Sequence, residues 1–167
     1  VDWAAVFNSL QIDTSVEESE QFTPGSKAAE LKLQEFLIKK IAEYNEKRND
    51  PTEDYQSGIS PYLHFGQIAP QRAAFEAFTR IKNSEVKDSF LEELIVRREL
   101  ADNFCYFNTK YDSFEGLKDW GKATLNDHRK DEREFVYSLE EFENAKTHED
   151  LWNAAQMEMV KSGKMHG

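Results

Sequence analysis

Residues 89–107 read SFLEELIVRRELADNFCYF. Within them Phe90, Glu93, Arg97, Leu100 and Phe104 recur at helical spacing and share one face. A carboxylate and a guanidinium thus stand in an apolar stripe that Leu91, Leu94, Ile95 and Ala101 widen. Such a pair has two readings. An i, i+4 salt bridge at the margin of a core is the plain one. The other is a pocket wall, where a partly buried acid and an arginine face a polar ligand. A second constellation is Ser57-Gly58-Ile59-Ser60-Pro61. Hydroxyls and unpaired N–H groups at a helix start suit an anion, although helix capping alone explains a Ser-Pro pair. Trp152 lies among apolar residues and reads on its own as a core side chain. The histidines at 64, 128, 148 and 166 lack metal-ligand spacing, so no metal site is expected. No Ser/His/Asp or Cys/His nucleophile is evident.

Helices must position these groups. Trp3, Val6, Phe7 and Leu10 mark a short amphipathic helix. Residues 11–25 are polar and acidic and read as a linker ending in Pro24-Gly25. A long helix is expected from Ser26, capped by that serine, with Leu33, Leu37, Ile41 and Tyr44 at helical spacing. Residues 48–58 form a loop. Ser60 at the N-cap and Pro61 at the first helical position start the next helix, and Pro70 starts another. Ser84 is expected to cap a helix running to about Phe107, with a loop from Asn108 to Gly116. Ser138 and Glu141 predict a capping box, with Tyr137 and Phe142 as its hydrophobic staple. Thr147 to Asp150 open a last helix that stops near Gly163. No alternating strand pattern is present, so the fold class is all-α.

The chain of 167 residues is 39% hydrophobic and 32% charged, which places it among globular rather than disordered sequences. Its one cysteine, Cys105, excludes an intrachain disulfide and fits a reducing compartment. No apolar run is long enough to span a bilayer. The formal net charge of −11 argues, taken alone, against nucleic-acid binding, which needs clustered Lys and Arg.

Five segments in order carry a resemblance. PGSKAAELKLQEFL (24–37), YNEKRNDP (44–51), SPYLHFGQIAPQRAAFEAF (60–78), FLEELIVRRELADNFCYFN (90–108) and WNAAQMEMVKSGKMHG (152–167) closely resemble the class II cyclobutane pyrimidine dimer photolyases of the photolyase/cryptochrome family. The resemblance implies an incomplete, multi-helix FAD-binding domain. Residues 1–25 would be a short helix and linker following an absent α/β antenna domain. Residues 26–167 would be the amino-terminal part of the helical catalytic domain. It further implies FAD as cofactor, UV-damaged DNA as substrate and partner, light-driven splitting of the pyrimidine dimer, no membrane, and an intracellular location. The missing remainder of the parent chain would be a further partner; it would also carry much of the DNA surface, which answers the charge objection.

Residue by residue, the resemblance makes Glu93 the acid that contacts the dimer and Trp152 the outer tryptophan of the electron-transfer chain. Tyr44, the turn Ser57, Gly58, Ile59 and Ser60, the wall residue Phe90, and Arg97 would hold FAD, the turn at its diphosphate. Ala69 departs from a serine common in the family, and KMHG at 164–167 follows the class II pattern. Two other readings stay open at this level. One is a flavin photoreceptor that does not repair DNA, and the other is a cofactor-free helical interaction module.

Overall fold

A computed structural model of the chain describes residues 1–12 and 18–165. The part of the expected linker at 13–17, and His166 and Gly167 of the KMHG motif, lie outside the described residues. Among the described residues the regular elements are all helical. In chain order they are α1 (Trp3–Ser9), α2 (Ser26–Glu35), a π turn (Phe36–Lys40), a 3₁₀ turn (Ile41–Glu43), α3 (Tyr44–Lys47), α4 (Ser60–His64), α5 (Pro70–Arg80) and α6 (Ser84–Leu91). A second π turn (Glu92–Arg97), α7 (Arg98–Phe107), a 3₁₀ turn (Phe114–Gly116), α8 (Asp119–Asp127), a 3₁₀ turn (His128–Lys130), α9 (Leu139–Glu143) and α10 (Asp150–Ser162) follow. The all-α expectation holds.

Contacts divide the chain into two units, one of Val1–Thr23 with Arg133–Gly167, the other of Pro24–Glu132. The sequence suggested one boundary, after residue 25; a second break at 132/133 has no composition signal.

The central unit, 24–132, holds the described core. Ala29, Leu33, Phe36 and Leu37 pack with Tyr44, Ile59, Tyr62, Ile68, Ala73, Ala77, Ile81, Val86, Phe90 and Leu94. Burying one large apolar side chain is worth about 1.5–3 kcal/mol, so this cluster is the main local source of stability. Both long helical runs contain π turns. Each admits an extra residue into one turn and advances the faces that follow by about 100°, the angle per residue of an α-helix. In the first run the insertion lets Phe36 and Leu37 both turn inward before Tyr44. In the second it ends the expected stripe at Leu94: Leu100 and Phe104 are 59% and 46% exposed.

Several helix starts differ from expectation by one residue. Gly25, not Ser26, is the N-cap of α2. Ile59 caps α4, and Ser60 is its first helical residue. At α6 the cap is Asn83 rather than Ser84, because the Asn83 side chain accepts from the N–H groups of Glu85 and Val86 and so satisfies two otherwise orphaned donors.

In the terminal unit the expected capping box of α9 is present. The Ser138 hydroxyl accepts from the Glu141 N–H at 3.2 Å, and Glu141 accepts from the Ser138 N–H at 2.7 Å. The Ser138 N–H, and next the Ser138 hydroxyl at 2.9 Å, donate to the Glu141 carboxyl and hold it below its ordinary value near 4.5. The staple pair, Tyr137 and Phe142, meets edge-on with ring centroids 5.5 Å apart. Helix α10 ends at Gly163 in the left-handed conformation, φ 75°, which glycine adopts without a Cβ penalty.

Candidate functional site

Three aromatic rings form the floor of the site in the central unit. Phe36 lies 5.1 Å from Phe90 and 5.5 Å from Tyr44, and Tyr44 lies 5.8 Å from Phe90. Edge-on and tilted contacts of this kind add to area burial. Tyr44 and Phe90 are 6% and 3% exposed, so both are packed from behind by the core. Their positions are set by helix phase. The first π turn directs Phe36 inward, and the turn of α6 that follows the Asn83 cap directs Phe90 to meet it.

Arg48 connects this floor to the acid. Its Nη1 donates to Glu93 Oε1 at 3.1 Å and, at 3.4 Å, to the Tyr44 hydroxyl. Its guanidinium also lies over the Tyr44 ring, 5.3 Å from the centroid. The Arg48 pKa is raised, first by the Tyr44 hydrogen bond and then, against burial, by Glu93. Glu93 is therefore held in place by a cation at the C-cap of α3, with its side chain 46% exposed. The i, i+4 salt bridge allowed by the sequence spacing is replaced. Arg97 Nε instead meets Glu92 Oε1 at 3.3 Å. Residues five apart share a face in a π turn, whose backbone bonds run from i to i+5, and this is why Arg97 pairs one residue farther back. Its side chain is 64% exposed.

Arg48 was not singled out by sequence reasoning. The signal was there: it stands four residues after Tyr44 in YNEKRNDP, one helical turn on.

The turn Ser57–Ser60 is the second part of the site. Gly58 has φ +66°, a backbone that disfavours a Cβ, and a Cβ built there would stand 2.7 Å from Lys32 Cε. Ile59 is the anchor at 2% exposure, so only its backbone can serve a ligand. Ser60 is exposed, and the Ser57 hydroxyl accepts from the Ile59 N–H at 3.5 Å. The loop leading to the turn is tied to the helix before it. The Tyr55 hydroxyl donates to Glu43 Oε1 at 3.1 Å, and Lys47 meets Glu43 at 2.7 Å while lying 4.4 Å from the centroid of the Tyr55 ring. These two partners, Lys47 first, lower the Glu43 pKa. Lys40 holds Asp54 at 2.7 Å.

Of the residues picked out in the sequence, Tyr44, Phe90 and Glu93 are thus brought together through Arg48. Ser57 to Ser60 form one turn beside Lys32. Arg97 turns to Glu92. Trp152 belongs to the terminal unit, 46% exposed, with its ring 5.3 Å from Phe142. There the Tyr137 hydroxyl is hydrogen-bonded to His148 Nδ1, and the His148 ring stacks on Phe135 at 3.7 Å. Among the described residues no three His, Cys, Asp or Glu side chains are grouped to hold a metal, and no helix is long and apolar enough to cross a membrane.

The helical architecture is that of the photolyase fold. It superposes on the crystal structure of a bacterial class III photolyase from Agrobacterium tumefaciens with a TM-score of 0.63, at 24% identity, covering 99% of this chain and 31% of that one; at that identity the likeness shows the fold. No family model matches the chain. Sequence relatives go further. The chain is 50% identical over 174 residues to the deoxyribodipyrimidine photo-lyase of Oryza sativa subsp. japonica, and 46% identical over 168 residues to that of Potorous tridactylus. Both matches cover 100% of this chain, and 34% and 32% of the relatives. The chain belongs to the photolyase family. It spans about a third of the length of the curated relatives it matches.

Proposed function

We propose that this chain is part of the FAD-binding region of a class II photolyase that repairs cyclobutane pyrimidine dimers in DNA by light-driven electron transfer. The observation that carries this is Glu93, anchored by Arg48 on the Phe36–Tyr44–Phe90 floor, in a chain matched from end to end by deoxyribodipyrimidine photo-lyases. The KMHG ending favours class II.

The residues present fit FAD. A diphosphate needs donors and a backbone that lets it approach closely. The hydroxyls of Ser57 and Ser60 offer the donors, and the positive-φ backbone of Gly58 shapes the turn that carries them, with the Lys32 side chain in the space a Cβ would fill. The backbone of Ile59 and Arg97 complete the set that would hold the cofactor, with Tyr44 and Phe90, 6% and 3% exposed, supporting it from within the core. When bound, FAD in its reduced, photoexcited form supplies one electron to the dimer.

The chain's own residues have separate tasks. Glu93 presents its carboxylate to the flipped-out pyrimidines, where it accepts hydrogen bonds from their N–H groups and orients the damaged pair. Arg48 fixes that carboxyl in orientation, so it need not reorganise when charge develops. Tyr44 fixes Arg48. Phe90 excludes water from beneath the site. Trp152, in the terminal unit, would serve as an oxidisable indole for resupplying electrons to the cofactor when it is bound. The damaged pair enters at small cost, because a lesion already stacks poorly.

The test is light-dependent reversal of dimers by the full-length protein. Glu93→Ala is expected to lower repair yield with little loss of bound flavin. The missing bond to a charge-bearing group is worth about 1.5–3 kcal/mol. An unchanged quantum yield on dimer DNA would remove Glu93 from this role.

A further inference from the structure

Lys32 stands on α2, within the segment 24–37, and its Cε lies 2.7 Å from where a Gly58 Cβ would be and its Nζ 3.7 Å. The side chain therefore lies directly on the glycine of the turn. Its ion pairing is also unusual for this acidic protein. Lys40, Lys47 and Lys122, at similar burial, hold carboxylates closely: Asp54 at 2.7 Å, Glu43 at 2.7 Å and Asp119 at 3.2 Å. Among the described residues Lys32 reaches only Glu35, at 3.9 Å, and Glu35 is itself held by Lys39 at 3.2 Å. The Lys32 side chain is 32% exposed. A partly buried ammonium with no anion closer than 3.9 Å among the described residues, laid against a positive-φ glycine between two serines, is arranged to receive an anion from outside the chain.

We propose that Lys32 is a binding residue for the cofactor diphosphate: its stem occupies the space that Gly58 leaves, and its ammonium donates to a phosphoryl oxygen above the Ser57–Ser60 turn. The proposal rests on the reading of that turn as a flavin diphosphate site. It gives Gly58 a second reason to be glycine, since a Cβ would displace the cation as well as strain the backbone.

The experiment is a flavin titration of the full-length protein and its Lys32→Met and Lys32→Arg variants, with FAD, with riboflavin, and with inorganic pyrophosphate as competitor. Methionine keeps the stem that packs on Gly58 and removes only the charge. The Kd for FAD should rise about ten- to a hundredfold in Lys32→Met, the size of one charge-assisted hydrogen bond. Riboflavin, which lacks the diphosphate, should bind as in the parent protein, and pyrophosphate should compete less well. Lys32→Arg should restore most of the FAD affinity. An unchanged FAD affinity in Lys32→Met overturns the proposal. So does an equal loss for FAD and riboflavin, which would make Lys32 a packing residue. A parent protein that takes up no FAD would overturn the underlying reading instead, and that result needs no variant to recognise.

Discussion

Replacing Gly58 with alanine separates two effects that the structure places at one atom. The backbone at Gly58 has φ +66°, and the added methyl would lie 2.7 Å from Lys32 Cε. The left-handed conformation costs an L-residue about 1–2 kcal/mol. The clash is less severe, because Cε is near the end of a flexible side chain. Moving Lys32 off its rotamer costs about 0.5–1.5 kcal/mol at most, and a new rotamer costs less. The backbone effect should therefore dominate, and Gly58→Ala should destabilise the chain by about 1–3 kcal/mol. Denaturant unfolding followed by circular dichroism measures the sum. The same substitution in a Lys32→Ala background isolates the clash, and the coupling energy should be below about 1 kcal/mol. In the full-length protein, Gly58→Ala should also weaken FAD at least as much as Lys32→Met, since the ammonium is pushed aside. A neutral Gly58→Ala would refute the strained turn. A loss that vanished in the Lys32→Ala background would show that packing, not φ, makes this position glycine.

Arg48→Met should reduce repair about as far as Glu93→Ala while costing about 1–3 kcal/mol of stability, because it removes the bond to the buried Tyr44 hydroxyl as well as the partly exposed pair with Glu93; single-turnover repair and thermal denaturation of the same preparation check both. Arg97→Ala should release flavin with little change in stability, since its partner in the chain is Glu92 in an exposed pair; retention of stoichiometric FAD would remove Arg97 from the cofactor set. The depressed Glu141 pKa gives a sign for pH. A carboxyl held below its ordinary value contributes stability above that value and loses it as pH falls through the depressed one. Glu141→Gln should therefore reduce stability near neutral pH and flatten the acid limb of the unfolding curve below about pH 4.5. An identical acid limb in the variant would contradict the capping role.

Much of this protein follows from local rules. Periodicity and the lack of alternating segments determined the all-α class. The Ser138–Glu141 capping box and the Gly163 stop were readable because both ends of each interaction lie within four residues. Tyr44, Phe90 and Glu93 could be chosen because long motifs in order carry more information than any pair. Tertiary structure decided what depends on helix phase and on distant partners. One extra residue in the turn Glu92–Arg97 moves Arg97 from Glu93 to Glu92 and leaves Leu100 and Phe104 exposed. Single-residue insertions of this kind cost little locally, so propensity and pattern do not mark them. Arg48 reaches Glu93 across 45 residues of chain, and Lys32 reaches the Gly58 turn from α2. Both are long cations whose spacing in sequence says nothing of where their charged ends come to rest. Packing of the Phe36–Tyr44–Phe90 cluster sets the distance between the elements that carry Arg48 and Glu93, and only then does the acid acquire its partner.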